Sequence, residues 1–335
     1  MVKIVYMMSR RQAIGLVQTA AQTGRVRFSS PIIVRGPLRF HYLSDLHLEN
    51  QEINFSLPEG DVLIVAGDLC NASALAPNAR GRYAATQRER VLRFRDLAVD
   101  NFSRVLMVVG NHEHFDGVFE ETVPLLAEHL DGFELLDDSA VEIGGVHVFG
   151  TTLWSDFEGR DPACMEHVRR GIGDYFFIKS RAASPVGSRN PRAPSRNSYH
   201  PEVHGSAANH AEGAAVDLRR LTPEDTLAAH DRARRRLAEH LGGAGAAPTV
   251  VVSHHAPSLK GLNPLFAGNG LDGAYASALD GMIAALETVP VWVHGHTHIR
   301  RKYRIGATRV CVNCRGFDDR DRHAQPFTAA TCFDV

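Results

Sequence analysis

Residues 289–300 read VPVWVHGHTHIR, an apolar run broken by a glycine, with His294, His296 and His298 at every second position. A short β-branched run that stops at a polar turn is the pattern of a strand buried on both faces. Alternate residues of an extended segment share a face. Three imidazoles at this spacing therefore fit a joint task such as metal binding as well as a solvated strand edge.

The same punctuation recurs upstream. HYLS ends in Asp45-Leu-His47, VLIVA in Gly67-Asp68, VLMVV in Gly110-Asn111-His112 and PTVVVS in His254-His255. Ligands of open α/β sheets bind at the carboxyl ends of strands, so five strands are expected to deliver Asp, His and Asn to one edge of one sheet. Between them lie helix-like stretches: RERVLRFRDLAVDNF, PLLAEHL and YASALDGMIAALET, the last over 275–288. A further helix is expected from a Thr222 cap, with Pro223 in its first turn, Asp225 three residues after the cap, and Gly242-Gly243 as its stop. RKYRIG and TRVCVN read as paired strands. Buried strands alternating with helices indicate an α/β fold or a mixed α/β sandwich.

The chemistry is narrowed by donor type. Two carboxylates, four imidazoles and one amide oxygen suit first-row transition ions or zinc better than the oxygen-loving calcium and magnesium. Seven protein ligands are too many for one four-coordinate ion and enough for two if a carboxylate bridges. Two divalent ions set against two carboxylates and a hydroxide leave positive charge, which favours an anionic substrate such as a phosphate ester.

These blocks resemble the calcineurin-like metallophosphoesterases, whose pattern is D-x-H, G-D, G-N-H-[ED], a later H, and G-H-x-H. Here it stands as Asp45-Leu-His47, Gly67-Asp68, Gly110-Asn111-His112-Glu113, His254 and Gly295-His296-Thr297-His298. The resemblance implies a metallophosphoesterase-type α/β sandwich of two mixed β-sheets flanked by helices. It implies a metal site of Asp45, His47 and His298, a second of Asn111, His254 and His296, and Asp68 bridging them. The ions would be two divalent or trivalent transition metals, manganese, iron or zinc. A hydroxide bridging them would attack a phosphomonoester or phosphodiester, with His112 as general acid. His255 is expected to orient or contact substrate or to pack, and His294 to support the ligands or pack, with Gly295 turning the chain out of its strand. His114 and Asp116 read as solvated loop residues.

The totals agree with an ordinary globular protein: 335 residues, 44% apolar, 22% charged, net charge -1. No run of 18 apolar residues exists, so no membrane partner is expected. Near-neutral charge disfavours a nucleic-acid coat without excluding a local basic patch. A nuclease, with Arg232, Arg234, Arg235 and Arg236 as candidate groove, and a non-catalytic protein-binding platform are the rival readings. Cys70, Cys164, Cys311, Cys314 and Cys332 form an odd, sparse set, expected of a reducing, cytoplasmic setting. Cys311 and Cys314 face opposite ways on a strand, against a functional CxxC. Residues 1–37 form a basic extension in which SRRQAIGL only faintly resembles a twin-arginine signal, and 38–335 form the catalytic domain. Within it, about 181–213 is a Pro, Ser, Arg and Gly-rich insertion.

Overall fold

The computed structural model describes residues 36–181, 218–265, 267–317, 321 and 326–335. The basic extension, except for residues 36 and 37, and the insertion, except for Arg181, lie outside the described residues.

The short β-branched runs become strands arranged in two sheets. The first contains β1 (Arg39–Leu43), β2 (Gly60–Ala66), β3 (Phe102–Val108), β4 (Phe133–Leu135) and the C-terminal β13 (Cys332–Asp334), in the order β13-β1-β2-β3-β4. All neighbours are parallel except β13, which runs antiparallel to β1. The second contains β5 (Ser139–Ile143), β6 (Val146–Thr151), β9 (Thr249–Ser253), β10 (Val291–His294), β11 (Arg300–Ile305) and β12 (Thr308–Asn313), in the order β11-β12-β10-β9-β6-β5. Its centre is parallel and its two edge strands are antiparallel. A two-stranded ribbon, β7 (Lys179–Ser180) with β8 (Arg219–Arg220), completes the strands among the described residues.

Helices cover the sheets. Helix α1 (Arg82–Asn101) sends Val91, Phe94 and Ala98 into a core with Leu63, Val65, Val105 and Met107 of the first sheet, joined by Leu126 of α2 (Thr122–His129). Helix α3 (Pro162–Gly171) is capped by Asp161, whose side chain accepts from the Ala163 amide. Helix α4 (Pro223–Gly243) packs Ala233 and Leu237 against Phe149, Val251 and Trp292 of the second sheet. The two-sheet sandwich flanked by helices is as expected.

Three local expectations are corrected. The five strand ends do not share one sheet: β1, β2 and β3 belong to the first, β9 and β10 to the second. The segment 275–288 is not one helix but two short ones, Asp272–Tyr275 and Asp280–Ala284. Ala276 between them is extended because it bridges Ala256, and Ser277 donates its amide to the Ala256 carbonyl, so a tertiary contact overrides helix propensity. Helix α4 has the expected capping box of Thr222 and Asp225 but runs through both Gly242 and Gly243. The left-handed residue beyond it is Gly245 (φ +63°).

Candidate metal centre

The ends of β1, β2 and β3 meet those of β9 and β10 where the sheets approach. The backbone there is stitched across strands: the Asp45 amide donates to the Gly67 carbonyl, the His47 amide to Asp68, and the Gly295 amide to His254. Five of the seven expected ligands, Asp45, His47, Asp68, His296 and His298, have φ between 46° and 67°. Non-glycine residues rarely adopt this left-handed conformation, which costs roughly 1–3 kcal/mol each and persists only where surroundings enforce it. The strain turns consecutive polar side chains off the strands into one cleft. Gly67 sits there because a Cβ would run into the His254 ring. Gly295 has a different role from the expected one. Its φ is not left-handed, and a Cβ would come within 2.8 Å of the Ala66 carbonyl and Asp45 Oδ2; the turn itself belongs to His296 and His298.

Two clusters that could hold a metal ion result. Asp45, His47 and His298 place one donor atom each within 4.8 Å of one another, as do Asp68, His254 and His296. His47 Nε2 stands 3.1 Å from His298 Nε2, which is 3.4 Å from Asp45 Oδ1. Asn111 Oδ1 lies 3.1 Å from His254 Nε2. Asp68 lies between, with Oδ2 3.8 Å from His47 Nε2 and Oδ1 3.3 Å from His254 Nε2. All seven residues are thus brought together. Imidazole nitrogens facing one another beside carboxylate oxygens are what a shared cation relieves, so the donor set fits two transition ions.

Charge in the cleft follows from these distances. Burial opposes ionised Asp45, but the hydrogen bond and positive field of His298, with His254, bring it down to about 2. Burial likewise opposes Asp68, yet His254 and His112 hold it well below the carboxylate range. Burial would strip His254 of a proton, whereas Asp68 pushes it up to about 9. His298 rises to about 10 against burial, through its bonds to Asp321 and Asp45. Burial holds His47 below its ordinary value, and burial with His255 and His254 takes His296 well below.

Behind the ligands lies a layer that the motifs did not assign. The His47 Nδ1–H donates to Glu49 Oε1 at 2.9 Å, that of His298 to Asp321 Oδ2 at 2.6 Å, and that of His254 to the Ala66 carbonyl at 2.8 Å. Asn111 Nδ2 donates to Asp174 at 2.8 Å, which turns Oδ1 toward the cleft. Such partners fix the tautomer and direction of a ligand. Glu113 accepts backbone amides of Asp68, Leu69, Cys70 and Gly110, tying the loop after β2 to that after β3. Glu49 continues the alternation of Asp45 and His47 and could have been read from it. Asp174 and Asp321 carry no local signal. These carboxylates also correct the charge reckoning: Glu49 and Asp321 against two ligand imidazoles reduce the positive surplus inferred from Asp45 and Asp68 alone.

His112 is at the cleft mouth, its amide donating to Asp68 Oδ1 at 3.0 Å and its ring stacked on Phe115 at 4.3 Å. Burial would lower it, but Asp68 and Glu49 push it up to about 9. It also falls within 4.8 Å of donor atoms of His47 and Asp68. His255 and His294 are buried, donating from Nδ1 to the carbonyls of Thr152 and Gly295. His114 is not a solvated loop residue: it is buried against Phe119 and bonded to the Thr122 hydroxyl, whereas Asp116 is exposed. Arg232 and Arg236 of α4 pair with Asp138 and Glu239, which favours a solvated helix face over a nucleic-acid groove. All five cysteines are free, and no helix among the described residues is long and apolar enough to cross a membrane.

The model of the calcineurin-like phosphoesterase family matches residues 38–300. Among solved structures, the chain is similar to the phosphopantetheinyl hydrolase of Mycobacterium tuberculosis, at 17% identity over 85% of this chain and 91% of that one, TM-score 0.49. It is also similar to a dimetal phosphatase from Danio rerio, at 12% identity over 83% and 87% of the two chains, TM-score 0.40. A putative 5'-nucleotidase from Staphylococcus aureus matches at 15% identity over 83% of this chain and 48% of that one, TM-score 0.39. None of the curated proteins matches.

Proposed function

Because the chain belongs to the calcineurin-like phosphoesterase family, a family of metal-dependent phosphoester hydrolases, we propose that Asp45, His47 and His298 hold one metal ion, that Asn111, His254 and His296 hold a second, and that Asp68 joins them to hydrolyse phosphomonoesters or phosphodiesters. Two bound ions would supply a water activated near neutral pH and clamp the phosphate oxygens. The observation that carries this reading is Asp68, which directs one carboxylate oxygen to His47 and the other to His254.

The chain's own groups set the rest. Asp45 is held in place by the His296 amide, which donates to both its oxygens at 3.0 and 3.2 Å. The Asp174 contact orients Asn111 oxygen-first. His112 stands beside both clusters, within reach of His47 and Asp68, where it would donate a proton to the leaving oxygen. Manganese, iron or zinc would suit the nitrogen-rich donor set.

The test is a screen of metal-loaded protein over phosphate mono- and diesters, nucleotides and nucleic acids, with His112→Ala as blank. Hydrolysis of at least one ester class, slowed in the blank by about 10²–10⁴, is expected. A protein that binds no metal and cleaves no ester would be a binding platform instead, and cleavage confined to nucleic acid with steep salt dependence would mark a nuclease.

A further inference from the structure

One buried carboxylate outside the seven expected ligands touches two imidazoles of the site. Glu49 is 5% exposed. Its Oε1 accepts from Nδ1 of His47 at 2.9 Å and from Nδ1 of His112 at 3.0 Å, while Oε2 is buried without a hydrogen-bond partner. The two rings meet edge to face, 4.5 Å between centroids and 71° apart. Each is also clamped on a face, His47 by Phe317 at 4.2 Å and His112 by Phe115 at 4.3 Å. A ring engaged at Nδ1 and stacked on one side has only Nε2 left to offer, in one direction. A single oxygen therefore aims two Nε2 atoms.

Resting on the roles assigned above to His47 and His112, we propose that Glu49 is the positioning residue that locks both rings from one anchor, so that metal binding and proton delivery are held in register by the same carboxylate oxygen. A packing role alone does not account for it. Burying a carboxylate is costly unless it is hydrogen-bonded, and an apolar side chain of the same size would avoid that cost. What Glu49 adds is an acceptor at the one point both Nδ1–H groups can reach.

Reach and charge can be separated by substitution. Glu49→Asp keeps the charge but withdraws the acceptor by a methylene, losing both bonds. Glu49→Gln keeps the reach and an amide oxygen that accepts both. Metal affinity is read by chelator competition with zinc, and imidazole nitrogen resonances by NMR of the metal-free protein, with His230, bonded to the Leu153 carbonyl, as folding control. Turnover is read across aryl phosphates of graded leaving groups. Glu49→Asp is expected to weaken metal binding roughly 10–100-fold, to move the Nδ1 resonances of His47 and His112 together, and to slow poor leaving groups most. Glu49→Gln is expected to stay nearer the parent in all three. In a His112→Ala background, Glu49→Asp should still weaken metal binding yet leave the leaving-group dependence unchanged. Movement of only one of the two resonances, or a greater loss with Gln than with Asp, would overturn the proposal. If the parent hydrolyses no ester, the functional reading fails separately, and metal affinity and resonances still decide the role of Glu49.

Discussion

The cleft side of the strand-end turns and the packed side behind it are built from the same residue type, in the same short segments, for opposite purposes. His254 and His298 face Asp68 and Asp45 and are pushed up to about 9 and about 10, after burial is overcome by carboxylate contacts. Nearby in the same segments, His255 and His294, and His114 beside His112, meet protein instead, and burial takes His255 well below its ordinary value, His294 to about 4 and His114 to about 3. The cleft is not uniform, since burial, with neighbouring imidazoles, also holds His47 and His296 low. What raises His254 is its direct contact with Asp68 at 3.3 Å, and what raises His298 is its contact with Asp321 at 2.6 Å and Asp45 at 3.4 Å. A step of one or two residues decides whether an imidazole meets a carboxylate or another protein group.

The largest effect should come from the residue common to both clusters. Asp68→Ala is expected to take metal content after dialysis from two equivalents toward zero, measured by elemental analysis. A retained full equivalent would break the assignment of Asp68 as the link. Next is His112, on the cleft side but outside the proposed ligands. His112→Ala should keep both metals and slow turnover by about 10²–10⁴, the usual worth of a positioned acid, and by less for esters whose leaving group needs no proton. Loss of a metal equivalent would move His112 into the ligand set, where its distance to His47 and Asp68 also permits it.

The gathering of the cleft residues was largely readable from sequence because each proposed ligand follows an apolar run and the five blocks keep order and spacing. The assignment of those runs to two sheets was not, since period and burial reveal a strand but not its neighbours. Residues 275–288 failed for a related reason: the Ala256 bridge that extends Ala276 is a long-range contact. The outer layer was readable only where it touched a motif, as with Glu49 and Glu113. Asp174 lies 63 residues from Asn111 and Asp321 lies 23 from His298, with nothing local to mark either.

That outer layer offers a smaller, one-sided perturbation. Asp321→Ala removes the acceptor of His298 Nδ1 and should weaken metal binding roughly 10–100-fold, in the cluster of Asp45, His47 and His298 alone. Zinc titration should then resolve one weakened and one unchanged site. Equal weakening of both would show that the clusters do not respond independently.

The remaining prediction belongs to the packed side and concerns stability. His114 is buried, stacked on Phe119 at 4.6 Å and bonded to Thr122, and its folded value of about 3 lies below the roughly 6.5 expected when unfolded. The unfolded chain therefore binds the extra proton first. The contribution of neutral His114 is fully present above about pH 6.5 and is lost as pH falls toward 3, at about 1.4 kcal/mol per pH unit. His114→Gln should flatten the acid limb of the stability curve by about one proton, measured by urea unfolding between pH 7 and 5. It should also lower stability at pH 7, where the stacked ring is missed. An unchanged slope would mean that His114 gains a proton without leaving its pocket, and the contrast with His112, two residues away, would then rest on position rather than on charge.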